Sequence, residues 1–261
     1  MPSTTLSTST TLTIAKVPYL NSEPFFRNLN AGTARLAEAS PRELGAQTAA
    51  GVMAGGLLPV VDYFRLEDRL QRVGPFGIAV RGRARSVMLF SRLPIRQLGG
   101  ATIAVTEETS TSAVLLRLLL EQRYMITPKA YQRGQDPSAD ALLLIGDAAL
   151  QFQQTNARYS YEIDLGFEWW LWQHLPFTFA VWALRNEVSV EQKKSLESAL
   201  SRSLGVNSRE LNAIAAEQAG RLGLPAAQLE QYLAGFVYRL SQPEEEGIAQ
   251  FRSLVHEFNL L

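Results

Sequence analysis

The sequence predicts an α/β protein built as two lobes around a cleft. Three observations predict it. β-forming runs alternate with helix-forming ones through the first two thirds of the chain, the pattern of βα units. A linker-like stretch from Pro94 to Gly100 separates two groups of such runs. From Ser189 onward β-formers thin out and Ala, Leu, Glu and Gln dominate, so the last part reads as helical. Order along the chain then assigns residues 1–94 and 186–261 to a discontinuous first lobe and 95–185 to the second.

The elements follow in turn. Met1–Thr10 is polar, with no basic residue and no apolar run, and reads as a frayed tail rather than a signal peptide. Thr11–Val17 alternates and is rich in β-formers, hence a strand. Pro18 and Pro24 bracket a loop, and Pro24 suits the first turn of a helix through Leu29. Arg35–Ala39 reads as a short strand. Ser40-Pro41-Arg42-Glu43 has the form of a capping box ahead of a helix from Leu44 to Ala50. Leu57–Phe64 reads as a short strand and turn. Phe76–Val80 and Ser86–Ser91 are strands split by the basic run Arg81–Arg85.

Past Pro94, Ala101–Val105 is a strand feeding a helix through Thr109-Ser110-Thr111-Ser112. Asp140–Ile145 is a continuous apolar run, as expected of a strand buried on both faces, and Gly146-Asp147-Ala148 turns it into another helix. Tyr161–His174 holds Trp169, Trp170 and Trp172, which read as core. Pro176–Leu184 is a strand that returns the chain to the first lobe. Helices are expected over Val190–Leu204, Ser208–Leu222, Pro225–Ala234 and Gln242–Phe258, the last opening on acidic residues suited to a helix N-terminus.

Composition bounds the function. Lys+Arg 25 balance Asp+Glu 25, so the chain carries no basic excess for nucleic acid and no cationic face for an acidic membrane. No run approaches the roughly 20 apolar residues of a membrane helix. With no export signal read, the expected location is cytoplasmic. There is no cysteine, and the only histidines, His174 and His256, stand far apart. Thiolate or His-rich metal sites and a Cys nucleophile are therefore not expected. No P-loop, GxGxxG or GxSxG segment names a reaction or a nucleotide cofactor.

Three turns place hydroxyls or amides where strands feed helices: Tyr19-Leu20-Asn21-Ser22, Thr109–Ser112 and Gly146-Asp147-Ala148. In open α/β sheets such turns lie at the carboxyl ends of strands, where ligands bind. N–H groups at a helix start attract anions, so the four-hydroxyl run is a candidate carboxylate or phosphate site, although capping needs only one of the four. Ser86 is a strand-end hydroxyl beside cations that could draw in an acid; the same run could be a solvated basic hairpin. Asp147 is an acid/base candidate or a helix cap. His174 is a base candidate or a loop histidine packed on aromatics.

Six short motifs, in one order between Val17 and Trp182, resemble the chorismate dehydratase family of the futalosine route to menaquinone. Tyr19-Leu20-Asn21 with Pro24 resembles its Y-L-N-x-x-P. Ser86–Ser91 resembles its S-V-x-L-x-S, and Thr109–Ser112 its S-x-T-S with Thr at the first position. Ile145–Leu150 is similar to its I-G-D-x-A-L. Asp164-Leu165 with the tryptophans, and Leu175–Trp182, resemble its D-L-x-x-x-W and L-P-F-x-F-A-x-W. Two departures stand near the expected cleft. Gly82-Arg83-Ala84-Arg85 replaces the family's Gly-Pro, and Gln173-His174 replaces its Thr-Gly. They bear on substrate identity more than on fold.

The resemblance implies the two-lobed fold of type II periplasmic binding proteins. It implies loss of water from chorismate to give 3-[(1-carboxyvinyl)oxy]benzoate, with neither metal nor organic cofactor. Asn21 and Ser86 are then the catalytic candidates. Tyr19, Ser22, Thr109, Ser110, Thr111, Ser112, Gly146, Asp147 and His174 are the substrate-binding candidates, with the Thr109–Ser112 helix start taking one carboxylate. A substrate carboxylate could itself take the ring proton, with His174 as the alternative base. Two other functions share the fold: a non-catalytic binding protein for a small carboxylate, and the sister enzyme that forms 1,4-dihydroxy-6-naphthoate, whose N-terminal motif differs from Tyr19-Leu20-Asn21.

Overall fold

The computed structural model describes residues 12–32 and 34–261. The polar start Met1–Thr10 and Thr11, expected to open the first strand, lie outside them. In chain order the strands are β1 (Thr13–Lys16), β2 (Arg35–Glu38), β3 (Gly55–Pro59), β4 (Leu70–Val80), β5 (Val87–Ser91), β6 (Thr102–Val105), β7 (Ala130–Arg133), β8 (Ala141–Ile145), β9 (Tyr161–Asp164), β10 (Phe177–Arg185) and β11 (Phe236–Arg239). The helices are α1 (Glu23–Phe26), α2 (Pro41–Ala49), α3 (Val60–Arg65), α4 (Thr111–Leu118), α5 (Gly146–Thr155), α6 (Leu165–Gln173), α7 (Val190–Asn207), α8 (Leu211–Leu222), α9 (Ala226–Ala234) and α10 (Gln242–Glu257).

The strands form two mixed sheets, ordered β11-β4-β10-β3-β1-β2 and β7-β6-β8-β5-β9. Within the first, β1 runs parallel to β2 and β3, while β10 is antiparallel to β3 and β4. Within the second, β6 runs parallel to β7 and β8, and β5 is antiparallel to β8 and β9. Parallel strands need a crossover, and the helices α2, α4 and α5 that follow strands are the expected covering layer. The capping box read at the start of α2 forms: Ser40 Oγ accepts from Glu43 N at 3.4 Å and Ser40 N donates to Glu43 Oε2 at 2.9 Å.

Sheet membership moves the crossings away from Pro94 and residue 185. Val87–Ser91 pairs with β8 and β9, so the chain passes to the second sheet between Val80 and Val87. Phe177–Arg185 already pairs with β3 and β4, so the chain returns just after α6. The run Arg81–Arg85 is therefore a crossing segment and no hairpin; Gly82 (φ +113) and Arg85 (φ +61) turn it. Its arginines point outward: Arg81 pairs with buried Glu244 at 2.8 Å, and Arg83 stacks 4.3 Å from the Phe167 ring centre.

Other departures are local. Val60–Arg65, read as part of a strand and turn, is helix α3, started by Pro59 in extended conformation. The strands β7, β9 and β11 were not read from the sequence; each is four residues long.

One apolar cluster spans both lobes. It joins Val80 and Val181 of the first sheet to Leu89 and Ile103 of the second, with Leu115 of α4 and Phe251 of α10. Trp169, the buried member of the tryptophan group, meets Phe177 and Phe251 edge-on at 5.3 and 5.7 Å between centroids. α10 covers both crossings. Its Glu244 holds Arg81, and its Gly247 passes so near Pro176 that a Cβ there would fall 2.2 Å from the Pro176 carbonyl oxygen.

Candidate functional site

The three hydroxyl- and amide-bearing turns converge. β1 leads into a short 3₁₀ turn at Leu20–Ser22, β6 into α4 and β8 into α5, and the crossing segment ending at Ser86 lies beside them. Together they bound a cleft enclosing about 600 Å³, its mouth included. Tyr19, Asn21, Ser22 and Ser86 line it, as do Thr109, Thr111, Ser112 and Gly146, on walls otherwise made of apolar side chains such as Ile78, Phe179 and Phe236.

Each residue is held for a local reason. Ser22 Oγ lies 2.6 Å from the Val17 carbonyl and 2.8 Å from that of Tyr19, so its proton is used to shape its own loop. Thr109 is the working cap, accepting from Ser112 N at 3.1 Å. Thr111 Oγ1 accepts from Val61 N at 3.2 Å across the lobes, which leaves its proton for a ligand. The Ser112 hydroxyl has no protein partner among the described residues and opens on the cleft. Gly146 has φ +60, and a Cβ there would lie 2.8 Å from the Tyr19 ring. Only glycine fits both the conformation and the contact.

Ser86 is fully buried and accepts a 2.7 Å hydrogen bond from the Tyr232 hydroxyl of α9. Its own proton points to the Ala84 carbonyl in a long, 3.5 Å contact, which a ligand in the cleft can replace. The Asn21 amide is near enough to the same phenol to lower its pKa against the effect of burial, so Tyr232 stands beside both catalytic candidates. Burial keeps Tyr232 protonated far above the ordinary tyrosine range. Tyr232 was not read from the sequence, where it looks like an ordinary apolar-face residue of a helix. Asp164, noticed only as part of a motif, fixes the segment before Ser86. Its carboxylate accepts from Ala84 N (3.0 Å), Arg85 N (2.7 Å) and Phe167 N (3.1 Å). Gly166 next to it lets α6 approach: a Cβ there would lie 3.0 Å from the Gly82 carbonyl.

Ser110, Asp147 and His174 lie outside the cleft lining. Ser110 faces the opposite way and donates to the Asp62 carboxylate. Asp147 joins the lobes: its Oδ1 accepts from Leu20 N at 2.9 Å and its Oδ2 lies 2.8 Å from Arg221 Nη2. Burial raises its pKa, while the Leu20 amide and Arg221 oppose that rise. His174 is the exposed C-cap of α6, in left-handed conformation at φ 54. The family's Thr-Gly has glycine there, and a left-handed cap favours glycine. That departure is therefore a change at a helix terminus, and the imidazole does not reach the cleft.

The lining carries no Asp, Glu, His, Lys or Arg. Its one titratable group, the Tyr19 phenol, is pushed well above its ordinary range by burial and by its hydrogen bond to Glu108. Positive potential comes instead from the starts of α4 and α5. α5 begins without a side-chain cap, and its first N–H, that of Gly146, donates to the Ser86 carbonyl at 2.8 Å. Beside the cleft the two lobes are bridged by the Tyr19–Glu108 bond, by Arg42 N donating to the Glu108 carbonyl at 3.0 Å and by the Val61–Thr111 bond. Such a cleft can bind an anion with dipoles and neutral donors, exclude water, and hold a leaving group in place. Among the described residues no three His, Cys, Asp or Glu side chains gather as a metal site, and no helix is long and apolar enough to cross a membrane.

Comparison with known proteins matches this architecture. A family described as menaquinone biosynthesis matches residues 12–257. A chorismate dehydratase from Thermus thermophilus is 31% identical over 252 residues, 89% of this chain and 91% of that protein. A solved protein from Archaeoglobus fulgidus superposes with a TM-score of 0.78 at 16% identity, over 97% of this chain and 100% of that one. A Candida albicans protein, described as exhibiting the generic periplasmic binding protein fold, superposes at 0.69 with 8% identity, over 97% and 91% of the two chains. The two solved structures share the fold expected from the sequence.

Proposed function

The chain belongs to the menaquinone biosynthesis family, and on that premise we propose that it is a chorismate dehydratase, a hydro-lyase that converts chorismate to 3-[(1-carboxyvinyl)oxy]benzoate and water. The observation that carries the chemistry is the lining itself: neutral donors and helix starts, with no side-chain base. Chorismate is one dehydration short of an aromatic ring, so the driving force lies in the substrate. What it needs is a dry, oriented site.

In this reading one carboxylate sits at the α4 start, against Thr111 and Ser112, and the uncapped start of α5 faces the substrate from the other turn. The second carboxylate, attached to the substrate itself, takes the ring proton. That C–H electron pair becomes a ring double bond as the C–O bond breaks, and the departing hydroxyl takes the same proton back from the carboxylic acid and leaves as water. Asn21 and Ser86, the latter held by Tyr232, hold the leaving hydroxyl and the developing charge. Tyr19 and Gly146 shape the wall, and Tyr19 with Glu108 bridges the lobes beside it. The cytoplasm is the location we propose with it, in keeping with a biosynthetic family.

Incubating the purified protein with chorismate and following the aromatic product tests this directly. Turnover to 3-[(1-carboxyvinyl)oxy]benzoate is expected. A tight chorismate complex returned unchanged would make the protein a receptor on the same fold and overturn the dehydratase reading.

A further inference from the structure

A second groove lies behind the α4 start. Residues 110, 113, 114 and 117 share one helix face by their spacing, and that face turns away from the cleft. The groove encloses about 1030 Å³, open front included, and is lined by Arg42 of α2, Arg65 of α3, Arg117 of α4 and Arg133 at the end of β7. The α2 wall is low because it is built from Gly45, Ala46 and Ala49. A Cβ on Gly45 would stand 2.6 Å from the Asp62 carboxyl.

The charges do not balance within it. Asp62 is the one carboxylate of the lining, and Ser110 and Arg65 (3.1 Å) already occupy it. Arg117 pairs with Glu121 at 3.3 Å on its own helix. Arg133 donates to the Thr109 carbonyl at 3.2 Å, and Arg42 has no ion pair among the described residues. Burial, then repulsion from Arg42 and Arg65, lowers the Arg133 pKa, with Glu107 opposing. Arg42 and Arg65 stand on helices of the first sheet, Arg117 and Arg133 on elements of the second. Guanidinium groups are planar forks that match carboxylate and phosphate oxygens, and groups from both sides can share one anion.

We infer that this groove is a second ligand site, for a small multiply charged anion of phosphate or polycarboxylate chemistry, and that its occupant ties the two lobes together. It differs in kind from the cleft, which has no charged side chain. The occupant binds N–H forks from both lobes next to the Val61–Thr111 bond, so it favours the closed arrangement.

Calorimetric titration with inorganic phosphate, at constant ionic strength set by sodium chloride, reads the site. Saturable binding is expected. The double variant Arg42→Ala/Arg133→Ala, which removes one cation from each lobe, should weaken it ten-fold or more while its circular dichroism stays unchanged. Asn21→Ala should bind phosphate as the natural chain does. Citrate in place of phosphate separates polycarboxylate from phosphoryl preference, and saturable binding of either supports the site. Phosphate should also slow hydrogen exchange at the Val61 amide. No saturable binding of either anion, or equal phosphate binding by the double variant, overturns the site; unchanged exchange at Val61 overturns the link to closure. None of these readouts depends on chorismate turnover. If wild-type protein binds no phosphate but the double variant loses kcat/KM for chorismate at low salt, the arginines only steer substrate and the inference fails.

Discussion

On the cleft side of the α4 start, Thr111 and Ser112 look out on Asn21, Ser86 and apolar walls. On the other side, Ser110 and Arg117 look out on three further arginines and a buried aspartate. The same helix turn therefore serves a neutral chamber and a cationic groove. An arginine set against a substrate carboxylate would hold its pKa down and make it a poorer base. On the proposed mechanism, in which the substrate removes its own proton, the cleft gains by binding that substrate with dipoles and hydroxyls. The inferred anion site in the groove, with no bond to make or break, is free to use full charges.

The sharpest way to break this contrast is Asn21→Ala. Loss of one donor to developing charge should cut turnover about 100-fold. Asn21→Asp should do equal damage by placing a negative charge beside a dianion. His174→Ala, at an exposed helix end, should stay within about two-fold of the natural chain. Turnover should then be flat with pH from above the carboxylate range to the tyrosine range, roughly pH 6 to 10, because burial and Glu108 raise the Tyr19 phenol further. An inflection in the imidazole range, with a mild Asn21→Ala, would make a histidine the base after all.

A smaller effect tests the support behind the chamber. Tyr232→Phe removes the donor to Ser86 and the hydroxyl beside Asn21 with almost no change in packing volume. Loss of one buried hydrogen bond, about 1–1.5 kcal/mol, should lower kcat roughly ten-fold with less change in KM. An unchanged kcat would show that Ser86 and Asn21 are held without it.

The two faces can then be compared directly. Thr111→Ala or Ser112→Ala should weaken chorismate binding roughly ten-fold by calorimetry, the value of a hydrogen bond to a charged group. Ser110→Ala should leave that affinity alone and change thermal stability, since its partner is buried Asp62. Equal losses in all three would erase the distinction between the faces. The smallest expected effect is at His174. Its replacement by glycine should stabilise the fold by up to about 1 kcal/mol in thermal unfolding, because the left-handed cap no longer carries a Cβ.

Much of this was legible in the sequence because punctuation marks the strand ends. Pro24, the Thr109–Ser112 run and Gly146-Asp147 stop strands and start helices, and all three turns reach the cleft. What was hidden has a common cause, which is that a side chain's direction depends on partners far along the chain. The strand Phe236–Arg239 exists because β4 pairs with it. Arg81–Arg85 looks like a hairpin until its flanking strands choose different sheets. Ser110 differs from its three hydroxyl neighbours only by a helix angle. Tyr232 becomes a site residue only because α9 folds back over Ser86.

The strand orders also set a sequence of events during synthesis. The five-stranded sheet is drawn from one unbroken stretch, from Val87 to Asp164, and all its partners exist once that stretch has emerged. The six-stranded sheet waits: Val80 pairs with Phe177 on one side and Phe236 on the other. Non-local pairing of this kind is slow and leaves strand edges bare while it is awaited. A ribosome-bound chain thus completes the inner lobe first and carries β1, β3 and β4 as an unfinished sheet. The loop that bears Asn21 packs Leu20 against α8 and α9, so it reaches its final place only after those helices have emerged.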